Sequence, residues 1–151
     1  MSTQIAPAAP YALAAGEGKV MKWFGSTIWM KASAEDLGIT EVLMREGEEP
    51  PMHSHQNEDE WLYLLEGEAT FHVGGRSYPS KAGGFVSFPR GVAHTFTVES
   101  GAARILVINT PGGFERMFEH QPQSKEAAIA ALEDFGMEVV GPNPGKGVRL
   151  N

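Results

Sequence analysis

Between Lys19 and Gly113 the chain is a succession of short β-forming runs, each cut off by Gly, Pro or charge. KVMKWF (19–24), STIWMKAS (26–33) and ITEVLMRE (39–46) mix β-branched, aromatic and polar residues in partial alternation. WLYLLE (61–66) passes through Gly67 into EATFHV (68–73), and Gly74-Gly75 is a hairpin signal leading to RSYPS (76–80). FVSFP (85–89), HTFTVES (94–100) and ARILVINT (103–110) complete the set. Strands at this even spacing, with turn residues between them, bury their alternate faces as a sandwich or a barrel. The 18 Gly and 10 Pro among 151 residues supply the turns such a fold needs.

Composition narrows the chemistry. No cysteine is present, so disulfides and thiol catalysis are excluded and any metal must be held by nitrogen and oxygen. The formal charge of -7 and the scattering of Lys and Arg argue against a nucleic-acid partner, which needs a basic surface to displace counterions. The first residues lack a basic stretch followed by an apolar one, and no run is long and apolar enough for a membrane span. The expectation is a cytoplasmic protein with a small-molecule partner and no membrane or nucleic-acid role.

The text changes after Thr110. Pro111-Gly112-Gly113 ends the last strand, and FERMFEH (114–120) has helical spacing. Ser124 is placed to cap a helix over 125–135 that Gly136 stops, with Ile129, Leu132 and Phe135 on one apolar face. MEVV (137–140) reads as a short strand. One domain is expected: a flexible arm over 1–10, a barrel over 11–110, and C-terminal helices and tail over 111–151 packed on it.

The chemistry gathers at three of the five histidines. Residues two apart on a strand share a face, so His53 and His55 can point into one interior together. Glu60 opens the next run across a polar turn, and His94 opens a later one after Pro89-Arg90-Gly91. Three imidazoles and a carboxylate suit a divalent transition metal with positions left for water, substrate or dioxygen. Taken singly the signals are weaker. A His-x-His pair also fits a surface or a satisfied core, and Glu58, Asp59 and Glu60 also read as a solvated acidic turn. Asp59 takes the place of Glu60 if that turn is one residue tighter. Alternation puts Leu62 and Leu64 on the Glu60 face and Phe96 and Val98 on the His94 face. Those four are either the walls of an apolar substrate pocket or plain core. His72 alternates away from Phe71 and reads as structural, His120 suits a helix C-terminus, and the three tryptophans read as packing residues.

The spacing around these residues resembles the two cupin motifs. Gly47, five residues, His53-Ser54-His55, four residues, Glu60, six residues and Gly67 reproduce the first without a gap. Gly83, five residues, Pro89-Arg90-Gly91, two residues and His94 reproduce the second, but Val98 stands where the motif has Asn. From about Tyr11 to Pro142 the chain looks like single-domain cupins similar to quercetin 2,3-dioxygenase. The resemblance implies an all-β fold, a jelly-roll β-barrel (double-stranded β-helix) with a helical C-terminal appendage. It implies His53, His55, Glu60 and His94 as ligands of one divalent ion, Fe, Mn, Ni, Co, Cu or Zn, with Glu60 also able to act as a catalytic base. The activity implied is that of a metal-dependent dioxygenase on a flavonol-like or enolic small molecule. A non-catalytic metal- or small-molecule-binding cupin and a non-redox isomerase-type cupin are the alternatives. The resemblance also implies a homodimer, paired through strands near residues 19–33.

Overall fold

The computed structural model describes residues 9–145. Eleven strands are found among them: β1 (Lys19–Trp23), β2 (Ser26–Ser33), β3 (Gly38–Arg45), β4 (Met52–His55), β5 (Asp59–Glu66), β6 (Glu68–Val73), β7 (Arg76–Lys81), β8 (Phe85–Phe88), β9 (His94–Val98), β10 (Ala102–Thr110) and β11 (Met137–Gly141). A 3-10 helix (Phe114–His120) and helix α1 (Lys125–Asp134) lie between the last two. The all-β expectation with a helical C-terminal element therefore holds. The expected N-terminal arm falls largely on residues 1–8, outside the described residues.

Two antiparallel sheets face each other in jelly-roll fashion. The larger runs β1-β2-β3-β10-β5-β8 and the smaller β11-β4-β9-β6-β7. The alternation seen in the sequence puts one face of each against the other. Ile28, Val42, Met44, Leu62, Leu64, Val86 and Ile105 come from the larger sheet, and they pack with Phe71, Phe96 and Val98 of the smaller in one core. Gly74 and Gly75 form the two-residue turn between β6 and β7, where Val73 pairs with Arg76. Their φ angles of 58° and 79° are those of a type I′ turn, whose twist matches the strands it joins and which favours glycine at both positions.

The C-terminal segment does more than rest on the barrel. Ser124 accepts the Ala127 N–H and caps α1, as its position implied. Phe114, Met117 and Met137 form a second small core with Trp23, Phe118, Leu132 and Phe135. Ile129 departs from the expected apolar face. It stays 41% exposed, and Ala128 is the buried residue of α1 instead. β11 then adds to the edge of β4, with Met137 opposite His55 and Val139 opposite His53. The last described strand thus backs the His-Ser-His segment directly. The buried Glu115 fastens this segment down: it accepts the Ser33 hydroxyl at 2.8 Å and the Gly113 N–H at 2.7 Å.

Candidate metal centre

β4 and β9 are neighbours in the smaller sheet, and His53 stands directly opposite His94. Alternation on β4 turns His55 to the same side. The outcome is a cluster in which His53, His55 and His94, all buried, each offer a ligand atom within 4.8 Å of the others. These three rings come from segments separated by some forty residues of chain, and only the pairing of β4 with β9 brings them together.

Each ring is held by its Nδ1. His53 donates to the Pro51 carbonyl at 2.7 Å, His94 to the Val92 carbonyl at 2.9 Å, and His55 to the Glu58 carboxylate at 2.6 Å. A carbonyl oxygen only accepts, so Nδ1 carries the proton in His53 and His94, and their Nε2 lone pairs are the free ones. Fixing the outer nitrogen in this way is how proteins orient metal-ligating histidines. The Nε2 of His94 is buried with no hydrogen-bond partner. An imidazole nitrogen rarely stays buried and unsatisfied without a purpose, and here it faces two further imidazoles.

Glu60 enters from β5 of the opposite sheet. Its Oε2 lies 2.9 Å from His55 Nε2 and 3.8 Å from His94 Nε2, the latter beyond hydrogen-bond range. At 12% exposure it is the most open side chain of the four. Asp59, the fallback for a tighter turn, points elsewhere. It pairs with Arg90 through contacts of 3.2 and 3.1 Å and accepts the Arg90 backbone N–H at 2.9 Å. Arg90 holds the Asp59 carboxyl below its ordinary range.

The electrostatics are uneven across the cluster. Burial, with His94 and His55 close by, pushes His53 down to about 3, so it is neutral at ordinary pH. Burial acts on His55 in the same sense, but the charge of Glu60 and the hydrogen bonds that His55 donates to Glu58 and Glu60 outweigh it and bring His55 up to about 9. Burial would raise Glu60, yet the facing His55 holds it well below the usual carboxylate range. Without a metal, His55 and Glu60 form a buried ion pair. The donor set fits a divalent transition ion: nitrogen ligands with no sulfur, outer nitrogens already engaged, and one inner nitrogen unsatisfied.

Aromatic rings wall the cluster. Phe88 stacks on His94 with centroids 4.2 Å apart, and Phe114 meets His55 edge-on at 4.4 Å. Neither was singled out in the sequence, nor was Glu58, which stood in the chain as a surface acid. Glu58 is three residues after His55, a spacing that could have flagged it as the group that orients that ring. Phe114 carried no local signal, because it arrives from beyond the barrel. Leu62, Leu64, Phe96 and Val98 belong to the packed core between the sheets. His72 is fully buried away from the cluster, bonded to the Ser77 and Thr97 hydroxyls at 2.8 and 2.9 Å, and is structural as its parity suggested.

Comparison with known proteins agrees with this fold. Residues 40–109 match the family described as Cupin domain. Quercetin 2,3-dioxygenase of Bacillus subtilis (strain 168) is 22% identical over 147 residues, covering 83% of this chain. The chain spans 44% of that relative's length. Among solved structures, KdgF from a Halomonas species superposes with a TM-score of 0.65 at 16% identity, covering 71% of this chain and 98% of its own. An RmlC-like cupin from Shewanella frigidimarina reaches 0.63 at 18% identity, over 71% of this chain and 96% of its own. Other structures of this fold are named as a sugar phosphate isomerase, a nucleoside dehydratase and a polyketide cyclase.

Proposed function

From the premise that this chain carries a cupin domain, we propose that it is a metal-dependent dioxygenase acting on a flavonol-like or enolic small molecule. The observation that carries the reading is the set of three imidazoles whose Nδ1 atoms are all tied outward, with the Nε2 of His94 buried and unsatisfied. His53, His55 and His94 would hold the ion, with Glu60 completing the set at its open side. A divalent ion there would supply Lewis acidity to an enol or phenol oxygen.

The residues account for the remaining requirements. As a ligand His55 is neutral, and Glu60 Oε2, beside it at 2.9 Å and on the open side of the cluster, is the carboxylate placed to take a proton from the substrate hydroxyl. Phe88 and Phe114, both buried, pack on His94 and His55 and keep water from the cluster. The 22% identity to quercetin 2,3-dioxygenase supports the same reading. A non-redox proton-transfer reaction is the second reading, favoured by the 2.9 Å His55–Glu60 pair, which is a proton donor and acceptor already in contact.

Among the described residues no helix is long and apolar enough to cross a membrane. The reading includes a cytoplasmic setting and a homodimer. The edge position of β1, with Val20 53% exposed and Phe24 next to it 56% exposed, supports pairing there.

Elemental analysis of protein purified without a metal-affinity tag tests the site, with oxygen uptake on a flavonol and diketone panel testing the reaction. Metal near one equivalent, lost in His53→Ala and in His94→Ala, is the expected result. Metal content unchanged in both variants would refute the ligand assignment. Absence of oxygen uptake with Fe, Mn, Ni, Co, Cu and Zn in turn would sink the dioxygenase reading for those substrates.

A further inference from the structure

One polar side chain beside the cluster has no role in what precedes. Asn109 lies on β10, opposite Glu60 of β5 on one side and Gly38 of β3 on the other. Glu60 in turn lies opposite Phe88 of β8. Directly paired residues of antiparallel strands share a face, so Gly38, Asn109, Glu60 and Phe88 form one row across the larger sheet. The direction of that row is known from its other members. Phe88 stacks on His94 and Glu60 bonds His55, so the row faces the histidine cluster. Asn109 is 2% exposed, and its Nδ2 is a buried donor with no hydrogen-bond partner. Among the described residues it shares that status with His94 Nε2 alone.

On the Gly38 side the amide makes no hydrogen bond either. The missing Gly38 side chain leaves room that the Glu115 carboxylate fills, and Glu115 is committed to Ser33 and to the Gly113 N–H. An oxygen in the space in front of Glu60 would supply the acceptor that Asn109 Nδ2 lacks.

We propose that Asn109 is a ligand-selecting residue of the site, whose amide donates to a carbonyl or carboxylate oxygen lying next to the hydroxyl that Glu60 and the histidines receive. The inference rests on the metal-holding reading above and adds the chemistry that the site prefers. Glu60 is an acceptor for a hydroxyl proton, Asn109 a donor to a neighbouring oxygen. Together they select a hydroxy-carbonyl compound over a diol, because the second hydroxyl of a diol is the poorer acceptor.

The test uses the full chain loaded with Co(II), whose visible spectrum reports ligand binding without turnover. Maltol, a hydroxyl beside a ring carbonyl, and catechol, two adjacent hydroxyls, are titrated into wild type, Asn109→Leu and Asn109→Asp. Cobalt content and unliganded melting temperature are measured on the same samples. The expected result is maltol affinity weakened about ten- to hundred-fold in both variants, with catechol affinity changed less than about threefold and cobalt content unchanged. Equal loss for both probes, or maltol binding like wild type in whichever variant folds, would overturn the proposal. So would a wild type that binds neither probe. Wild type without cobalt overturns this inference together with the metal reading. Failure of oxygen uptake with cobalt in place removes only the dioxygenase reading.

Discussion

His53 and His94 face each other across adjacent antiparallel strands with ring centroids 4.5 Å apart, and each donates its Nδ1 proton to the carbonyl two residues before it. The two rings are therefore positioned by their own backbones. His55 differs, because it depends on a side chain, Glu58, for the same service. That difference separates the predictions for the site.

Glu58→Gln should weaken metal binding by about ten- to hundred-fold while leaving the three imidazoles in place. The amide keeps an acceptor for Nδ1 but loses the charge that strengthens His55 as a donor of electrons. Competition against a chelator of known affinity measures the change. Affinity equal to wild type would show that Glu58 is only filling space.

Metal uptake should depend on pH through His55. His55 is protonated below about 9 in the metal-free protein, whereas His53, at about 3, is already neutral. Binding must expel one proton from His55, so apparent affinity should rise about tenfold per pH unit from pH 6.5 towards 9 and then level off. Titration calorimetry in buffers of different ionisation enthalpy counts that proton. A flat profile would contradict the His55–Glu60 ion pair of the metal-free protein.

Glu60→Gln separates two duties. Three imidazoles remain, so metal content should stay within about twofold of wild type, while turnover falls at least about a hundredfold with the base removed. Metal lost in proportion to activity would make Glu60 chiefly a ligand.

Phe88→Ala should destabilise the fold by about 3–5 kcal/mol, since it removes a buried ring packed on both Phe71 and His94. Urea unfolding of the metal-free protein gives the figure. A loss under about 1 kcal/mol would mean that the neighbouring side chains collapse into the space.

Glu115→Ala tests the anchor of the C-terminal segment. Leaving the Ser33 hydroxyl and the Gly113 N–H without an acceptor should cost about 1–3 kcal/mol. Proteolysis between β10 and α1 should quicken at the same time. Unchanged cleavage would place the anchoring in the Phe114–Met117–Met137 core instead.

The strand rhythm, the Gly74-Gly75 turn and the Ser124 cap were all legible in the chain, because each follows from contacts within a few residues. The same locality made His53 and His55 legible as a pair, since two-residue alternation puts both on one face of any strand. Spacing alone left Glu60 and Asp59 as rivals. The structure separates them, sending Asp59 out to Arg90 and Glu60 in to His55. Ile129 misled, because its three-residue spacing matched Leu132 and Phe135 while α1 had too little barrel to lie against. Phe88, Phe114 and Asn109 could not be read at all. Each owes its place to a partner fixed by strand register or by the return of the C-terminal segment over the barrel. Local sequence thus determined which residues alternate, turn and cap. The pairing of β4 with β9 and of β10 with β5, which no short-range preference encodes, decided which side chains share the site.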